Sequence, residues 1–214
     1  MLTLHGYWRS SAAYRVRIGL NLKGVAYKQV TYDLRQKAEK AEAYAALNPQ
    51  KLVPALQTED GAILTQSLAI LEWLEETHPR PALLPENPTD RAYVRAMCGL
   101  IACDIHPVNN LRILNALRDD FDAGDTQVSK WIARWICDGF DALEKIIADN
   151  YKGSFTFGDT PTFADCCVVP QFFNAIRFGV DLSPYPYLNE VYETCLALPA
   201  FALAHPQNQP DADT

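Results

Sequence analysis

Along the first 78 residues the spacing of apolar positions changes period several times. Leu2–Tyr7 alternates and predicts a short strand. Ser10 or Ser11 can cap a helix running to Lys23. Ala13, Val16 and Leu20 fall on one face of it, and Gly24 ends it. Tyr27–Tyr32 alternates again and predicts a second strand. Lys37–Leu47, rich in Ala and Glu, predicts a second helix closed by Asn48-Pro49. Two short apolar runs within Val53–Thr65 flank Glu59-Asp60-Gly61, the pattern of a hairpin. Gln66-Ser67 opens a third helix with Ile70, Trp73, Leu74 and Thr77 on one face. The order is βαβαββα. The first two strands and their crossover helix make a βαβ unit, so they are predicted parallel, and the hairpin adds antiparallel strands.

The pattern then changes. Pro79–Pro88 holds four prolines in ten residues, a density that neither a helix nor a central strand tolerates. Residues 81–88 are read as a linker between a domain over 1–80 and a second over 89–214. The second half shows only helical periodicity. Thr89 can cap a long helix bearing Tyr93, Met97, Leu100 and Ile101, kinked at His106-Pro107. Val128–Ala148 carries apolar residues at 132, 136, 140, 143 and 147. Thr162 and Asp165 have capping-box spacing ahead of Cys166–Phe173. The polar tail Pro206–Thr214 is predicted to fray.

Composition narrows the function. Of 214 residues, 49% are hydrophobic and 21% charged, which is globular and not disordered. A net charge of −7 argues against a nucleic-acid partner, because phosphate contacts need a cationic surface. No apolar run approaches membrane length, and MLTLHGYWRSS lacks the pattern of a secretory signal, so a cytoplasmic protein is expected. The six cysteines form no C-x-x-C pair and read as buried thiols of a reducing compartment. The four scattered histidines support no metal site.

Candidate chemistry clusters in the first half. Tyr7-Trp8-Arg9-Ser10-Ser11 lies where a strand gives way to a helix, and free N–H groups there favour an anion. On its own the segment also reads as a plain serine cap. Val53-Pro54 precedes a strand, and a cis bond there would present the Val53 backbone to an extended peptide. Gln66-Ser67 begins another helix, again suited to a carboxylate. Two anion sites and one strand-pairing site fit a short acidic peptide bearing a thiol. Glutathione has two carboxylates, amide bonds and one sulfur.

Ser10-Ser-Ala-Ala-Tyr-Arg-Val-Arg-Ile-Gly-Leu20 resembles the signature of zeta-class glutathione S-transferases, the group that includes maleylacetoacetate and maleylpyruvate isomerases. Asn48-Pro49, Leu52-Val53-Pro54, Gln66–Glu76, Leu83-Leu84-Pro85 and Asp181–Pro186 match it in order, so the resemblance spans nearly the whole chain. It implies a thioredoxin-like N-terminal domain, an all-helical C-terminal domain and a homodimer. The implied activity is glutathione-dependent cis–trans isomerisation of maleylacetoacetate to fumarylacetoacetate. Gly99–Asn110 is similar to bacterial maleylpyruvate isomerases, in which residues matching Asp104, His106, Asn110 and Arg112 help hold glutathione.

The resemblance implies that glutathione meets Ser10, Ser11, Ala12, Val53, Pro54, Gln66 and Ser67. Ala12 replaces a cysteine found in several members, so the protein supplies no thiol there. Ser10, then Ser11, is expected to stabilise the thiolate, with Tyr7 the rival used by other classes. The dicarboxylate substrate needs cations, for which Arg9, Arg15, Arg112 and Arg177 are candidates. The resemblance places an active-site arginine at Arg177. Arg15 and Arg17 also read as ion-paired or interface residues of the helix. Two other functions compete: a general glutathione transferase, and a non-catalytic binding protein of the same fold.

Overall fold

The structure is a computed structural model describing residues 1–150 and 153–213, with Asn150 described by its backbone only. By contact it falls into two compact units, Met1–Leu83 joined by the stretch from Leu196 onward, and Leu84–Cys195. The sequence division at 81–88 places everything after it in one domain. The final stretch instead groups with the first unit.

The first unit is built on a four-stranded sheet of β1 (Leu2–Gly6), β2 (Tyr27–Thr31), β3 (Ala55–Gln57) and β4 (Ile63–Thr65), in the order β2-β1-β3-β4. β1 pairs parallel with β2 and antiparallel with β3, and β3 pairs antiparallel with β4, as the βαβ and hairpin patterns require. Helices α1 (Ser11–Leu22) and α3 (Ser67–Thr77) bury Val16, Leu20, Ile70 and Leu74 against Leu2, Leu4 and Leu56. Thr77, expected on the buried face of α3, is exposed and donates to the Trp73 carbonyl at 2.7 Å. Gly19 lets α1 approach α3, since a Cβ there would drive into the Leu71 side chain.

The helix predicted over Lys37–Leu47 is broken. Short 3-10 turns occupy Leu34–Gln36 and Ala38–Lys40, and α2 covers only Glu42–Leu47. Lys37 sits at φ 56°, and the Asp33 carboxylate accepts from the Arg35 N–H at 2.9 Å. Local side-chain bonding here overrides the propensity of Ala and Glu.

The tail is also not frayed as predicted, although Thr214 lies outside the described residues. Helix α9 (Pro199–Ala204) packs on α1, where Asn21 Nδ2 donates to the Ala200 carbonyl at 2.9 Å. Gln209 Nε2 donates to the Leu203 and His205 carbonyls, both at 2.8 Å, and its Oε1 accepts from Gln29 at 2.9 Å. Arg35 pairs with Asp213 at 2.7 Å.

The second unit has no strand among its described residues. Helix α4 (Pro88–Gly99) is capped by Asn87, not Thr89. The Asn87 side chain accepts from the Thr89 and Asp90 N–H groups, and Pro88 takes the first helical position, where its missing N–H costs nothing. Val94, Met97 and Ile101 are buried, whereas Tyr93 is exposed. The predicted kink at His106-Pro107 is a π-helical stretch, Leu100–Ile105, running into a 3-10 turn at Pro107–Asn109. Helix α5 (Leu111–Phe121) follows, then α6 (Asp125–Asn150), α7 (Phe163–Arg177) and α8 (Pro186–Leu196). All five predicted stripe positions of α6 are buried, and Phe140 stacks on Phe172 of α7 at 6.1 Å between centroids. The capping box of α7 is present, with Asp165 accepting from the Thr162 N–H at 2.6 Å.

Candidate functional site

His5 of β1 pairs with Ala55 of β3, and Ala55 pairs with Thr65 of β4. The end of β1, the start of β3 and the end of β4 therefore share one edge of the sheet. The three segments singled out from the sequence leave the sheet there: Tyr7–Ser11, Val53-Pro54 and Gln66-Ser67.

Ser10 is the N-cap of α1, with extended backbone, and its Oγ accepts from the Ala13 N–H at 3.2 Å. A hydroxyl has one proton and two lone pairs, so this bond leaves the proton for another acceptor. Ser11 opens the helix and is buried, while Ala12 is half-buried. Arg9 lays its guanidinium 5.3 Å from the centre of the Trp8 ring. Tyr7 is buried, its hydroxyl has no hydrogen-bond partner, and burial pushes its pKa up. A phenol sealed in this way is poorly placed to meet a ligand sulfur.

The Val53-Pro54 bond is cis. Tyr44 Oη and Asn48 Nδ2 both donate to the Leu52 carbonyl, at 2.6 and 2.7 Å, holding the residue before Val53 in place. Asn48-Pro49 closes a helix in the sequence pattern and belongs to the zeta-class resemblance, but neither feature announces these two donors. Gln66 adopts φ 68°, and its amide donates to Gln50 Oε1 at 2.8 Å. No side chain caps α3, so its first-turn N–H groups keep their anion-binding capacity. Ser67 is buried, and its Oγ accepts from Arg15 Nη1 at 3.3 Å.

Arg15 and Arg17 are 2% and 1% exposed, so neither can serve as a solvent-facing cation for substrate. Arg15 lies behind Ser67. Arg17 donates to three backbone carbonyls, and burial pulls its pKa down to about 10.

In the second unit, Asp104, His106, Asn110 and Arg112 lie along one stretch, from the π-helical turn into α5. Asp104 and Arg112 are exposed, and His106 is half-buried. Asn110 accepts from the Arg112 N–H at 3.1 Å, so its side-chain oxygen is committed to capping α5. Arg177 ends α7, exposed, its guanidinium 4.5 Å from the centre of the Phe178 ring. Among the described residues no group of His, Cys, Asp and Glu could hold a metal ion, no disulfide is present, and no helix is long and apolar enough to cross a membrane.

Residues 9–77 match the family model "Glutathione S-transferase, N-terminal domain", and residues 138–194 match "Glutathione S-transferase, C-terminal domain". The chain is 46% identical over 212 residues to the maleylacetoacetate isomerase of Pseudomonas aeruginosa, covering 98% of each. It is 48% identical to a solved maleylpyruvate isomerase described as a bacterial glutathione S-transferase of the zeta class, with a TM-score of 0.96 over 99% of this chain and 100% of that one. A maleylacetoacetate isomerase from Anaeromyxobacter dehalogenans is 44% identical, with a TM-score of 0.89 over 100% of this chain and 94% of that one. That structure holds dicarboxyethyl glutathione and citrate in its active site.

Proposed function

The chain belongs to the zeta class of glutathione S-transferases, and from that premise we propose that it binds glutathione on the first unit and uses it to isomerise maleylacetoacetate to fumarylacetoacetate. One observation carries the site reading. A half-buried serine hydroxyl with its proton uncommitted caps α1 at the same sheet edge as the uncapped start of α3 and the cis Val53-Pro54 bond.

The residues fit the peptide. Val53 offers its backbone to the peptide's amides, held from behind by Tyr44 and Asn48 through Leu52. The start of α3, with Gln66 and Ser67, takes a carboxylate, and the Arg15 charge beneath Ser67 adds to the helix dipole. Ser11 and Ala12 complete the contacts around the start of α1. When bound, glutathione supplies the sulfur whose reversible addition lets the cis double bond turn.

Ser10 holds that sulfur as thiolate. At an ordinary pKa of ~8.5 only ~3% of a thiol is ionised at pH 7. A depression of ~2 units, or ~2.7 kcal/mol, raises that to ~75%. A hydroxyl donor at a helix N-terminus is suited to that shift. Arg9, beside Ser10, is assigned to a substrate carboxylate and to the charge that builds on the carbonyl oxygen. Asp104, His106, Asn110 and Arg112 are kept as further glutathione contacts, and Arg177 as a second substrate cation, on the strength of the resemblance.

A second reading, maleylpyruvate as substrate, is favoured by the 48% identity to a maleylpyruvate isomerase. General transferase activity fits the same thiolate as a side reaction. A homodimer in the cytoplasm also follows from the resemblance, and sedimentation at micromolar concentration tests the dimer.

Retention on glutathione-agarose, followed by turnover of maleylacetone and maleylpyruvate, tests the reading. Binding with turnover supports it. Binding without turnover of either leaves a binding protein, and conjugation of a chloroarene alone leaves a transferase. Arg177→Ala has its own test. Isomerisation should fall ~30–1,000-fold in kcat/KM, and conjugation of a neutral substrate by less than about tenfold. Equal losses would remove Arg177 from substrate binding.

A further inference from the structure

The turn that carries Arg9 and Ser10 is gripped from behind. Ser10 N–H donates to the Tyr7 carbonyl at 3.0 Å and closes the turn. The peptide joining Tyr7 to Trp8 lies between two buried or partly buried charges. Its carbonyl accepts from Arg17 Nη1 at 3.4 Å, and its N–H donates to Asp211 Oδ2 at 3.0 Å. The next carbonyl, of Trp8, accepts from Arg17 Nη2 at 2.8 Å. Arg17 Nε donates to the Ala204 carbonyl at 3.0 Å. The guanidinium therefore joins the turn to the C-terminal stretch, and Asp211 of that stretch reaches back to the turn.

Every backbone polar atom from Tyr7 O to Trp8 O is thus held by Arg17 or Asp211. The two residues left facing outward are Arg9 and Ser10. Arg9 inherits its place from the Trp8 ring beneath it, and Ser10 from the turn that Tyr7 closes. Arg17 is an unusual choice for a purely structural role. A buried guanidinium is costly to desolvate, and a hydrophobic side chain of similar volume commonly packs as well or better. Its planar fork does what no apolar residue can, donating at once to two successive carbonyls and to a third from a distant helix. Asp211 supplies the compensating charge through the peptide.

We propose that Arg17 and Asp211 are positioning residues for the thiolate site, so that the C-terminal stretch is part of the glutathione-activating apparatus of the first unit. The proposal rests on the assignment of Ser10 above. The Ser10 proton points at the sulfur only while the turn is held, and a small misplacement of a catalytic donor costs up to about a hundredfold in rate.

The test compares Asp211→Ala, Asp211→Asn and a chain ending at Pro210 with the parent. The readouts are the ultraviolet absorbance of bound thiolate against pH, and kcat and KM for isomerisation. Asp211→Ala should lower kcat about tenfold at neutral pH and raise the thiol pKa by about one unit, with the KM for glutathione changed less than threefold. Asp211→Asn keeps an acceptor for the Trp8 N–H and should restore most of the loss. The chain ending at Pro210, which also loses the Arg35–Asp213 pair, should raise the thiol pKa at least as much as Asp211→Ala.

Glu75→Gln is the stability control. It breaks the buried Lys23–Glu75 pair at 2.5 Å elsewhere in the same unit. It should lower Tm without moving the thiol pKa. The inference is overturned if Asp211→Ala leaves the thiol pKa at the parent value, or if Glu75→Gln moves it equally. If Ser10→Ala also leaves it unmoved, the assignment of Ser10 has failed instead.

Discussion

Helices α1 and α3 begin at the same edge of one sheet, yet their first turns are finished differently. At α1 the residue before the helix is Ser10, extended, with its hydroxyl closing on the Ala13 N–H. At α3 it is Gln66, in the left-handed region, with its side chain turned away to Gln50 and no side-chain cap made. One N-terminus has consumed an N–H group to hold a hydroxyl in place. The other has left its N–H groups open and put a buried arginine behind them. The first arrangement suits a single polarisable atom that needs one well-aimed donor. The second suits a carboxylate, which takes several donors and a nearby charge.

Ser10→Ala cuts this contrast most deeply. Loss of one aimed donor should lower kcat/KM for isomerisation by ~10²–10³-fold and raise the pKa of the bound thiol, seen as a shift of the pH–rate profile to higher pH. Gly19→Ala attacks the close packing of α1 on α3. The new Cβ meets Leu71 in a packed core, and the expected loss is ~1–3 kcal/mol of stability in urea unfolding. Ser67→Ala should raise the KM for glutathione ~tenfold through loss of a charge-assisted contact, with kcat within about twofold. A Ser67→Ala variant that loses kcat and keeps KM would reverse the roles given to the two ends. Tyr7→Phe should change least. Its hydroxyl is buried without a partner, so kcat/KM should stay within about threefold of the parent. Were Tyr7→Phe to shift the pH–rate profile while Ser10→Ala left it in place, the thiolate donor would be the tyrosine.

What could be read from the sequence was whatever is decided within a few residues. The cap at Ser10, the hairpin at Glu59-Asp60-Gly61, the capping box at Thr162 and Asp165 and the apolar stripe of α6 all depend on short spacings, and all are present. The elements misread were those where competing local bonds win. Asp33 and a left-handed Lys37 cut the second helix short. The kink predicted at His106-Pro107 is present, but in a form the sequence does not specify: the His106 N–H bonds to the Ile101 carbonyl, five residues back. Long-range partners left no local trace. Nothing near Trp8 announces Asp211, and nothing around Asn48-Pro49 announces that Asn48 and Tyr44 share the Leu52 carbonyl. Arg17 reads from the sequence as an ion-paired or interface residue of its helix, with no sign of the three carbonyls it holds. Only the packed structure reveals that it has no solvent to face.

The first unit is interrupted in sequence, its sheet coming from residues before 84 and its brace from residues after 195. During vectorial synthesis the brace leaves the ribosome well after the sheet. At ~5–20 residues per second, the ~110 residues between the two parts hold the sheet waiting for ~5–20 seconds. Until then the Arg17 guanidinium lacks the Ala204 carbonyl, and the Trp8 N–H lacks its carboxylate. The nascent sheet can collapse, but its Tyr7–Ser10 turn has no outer wall.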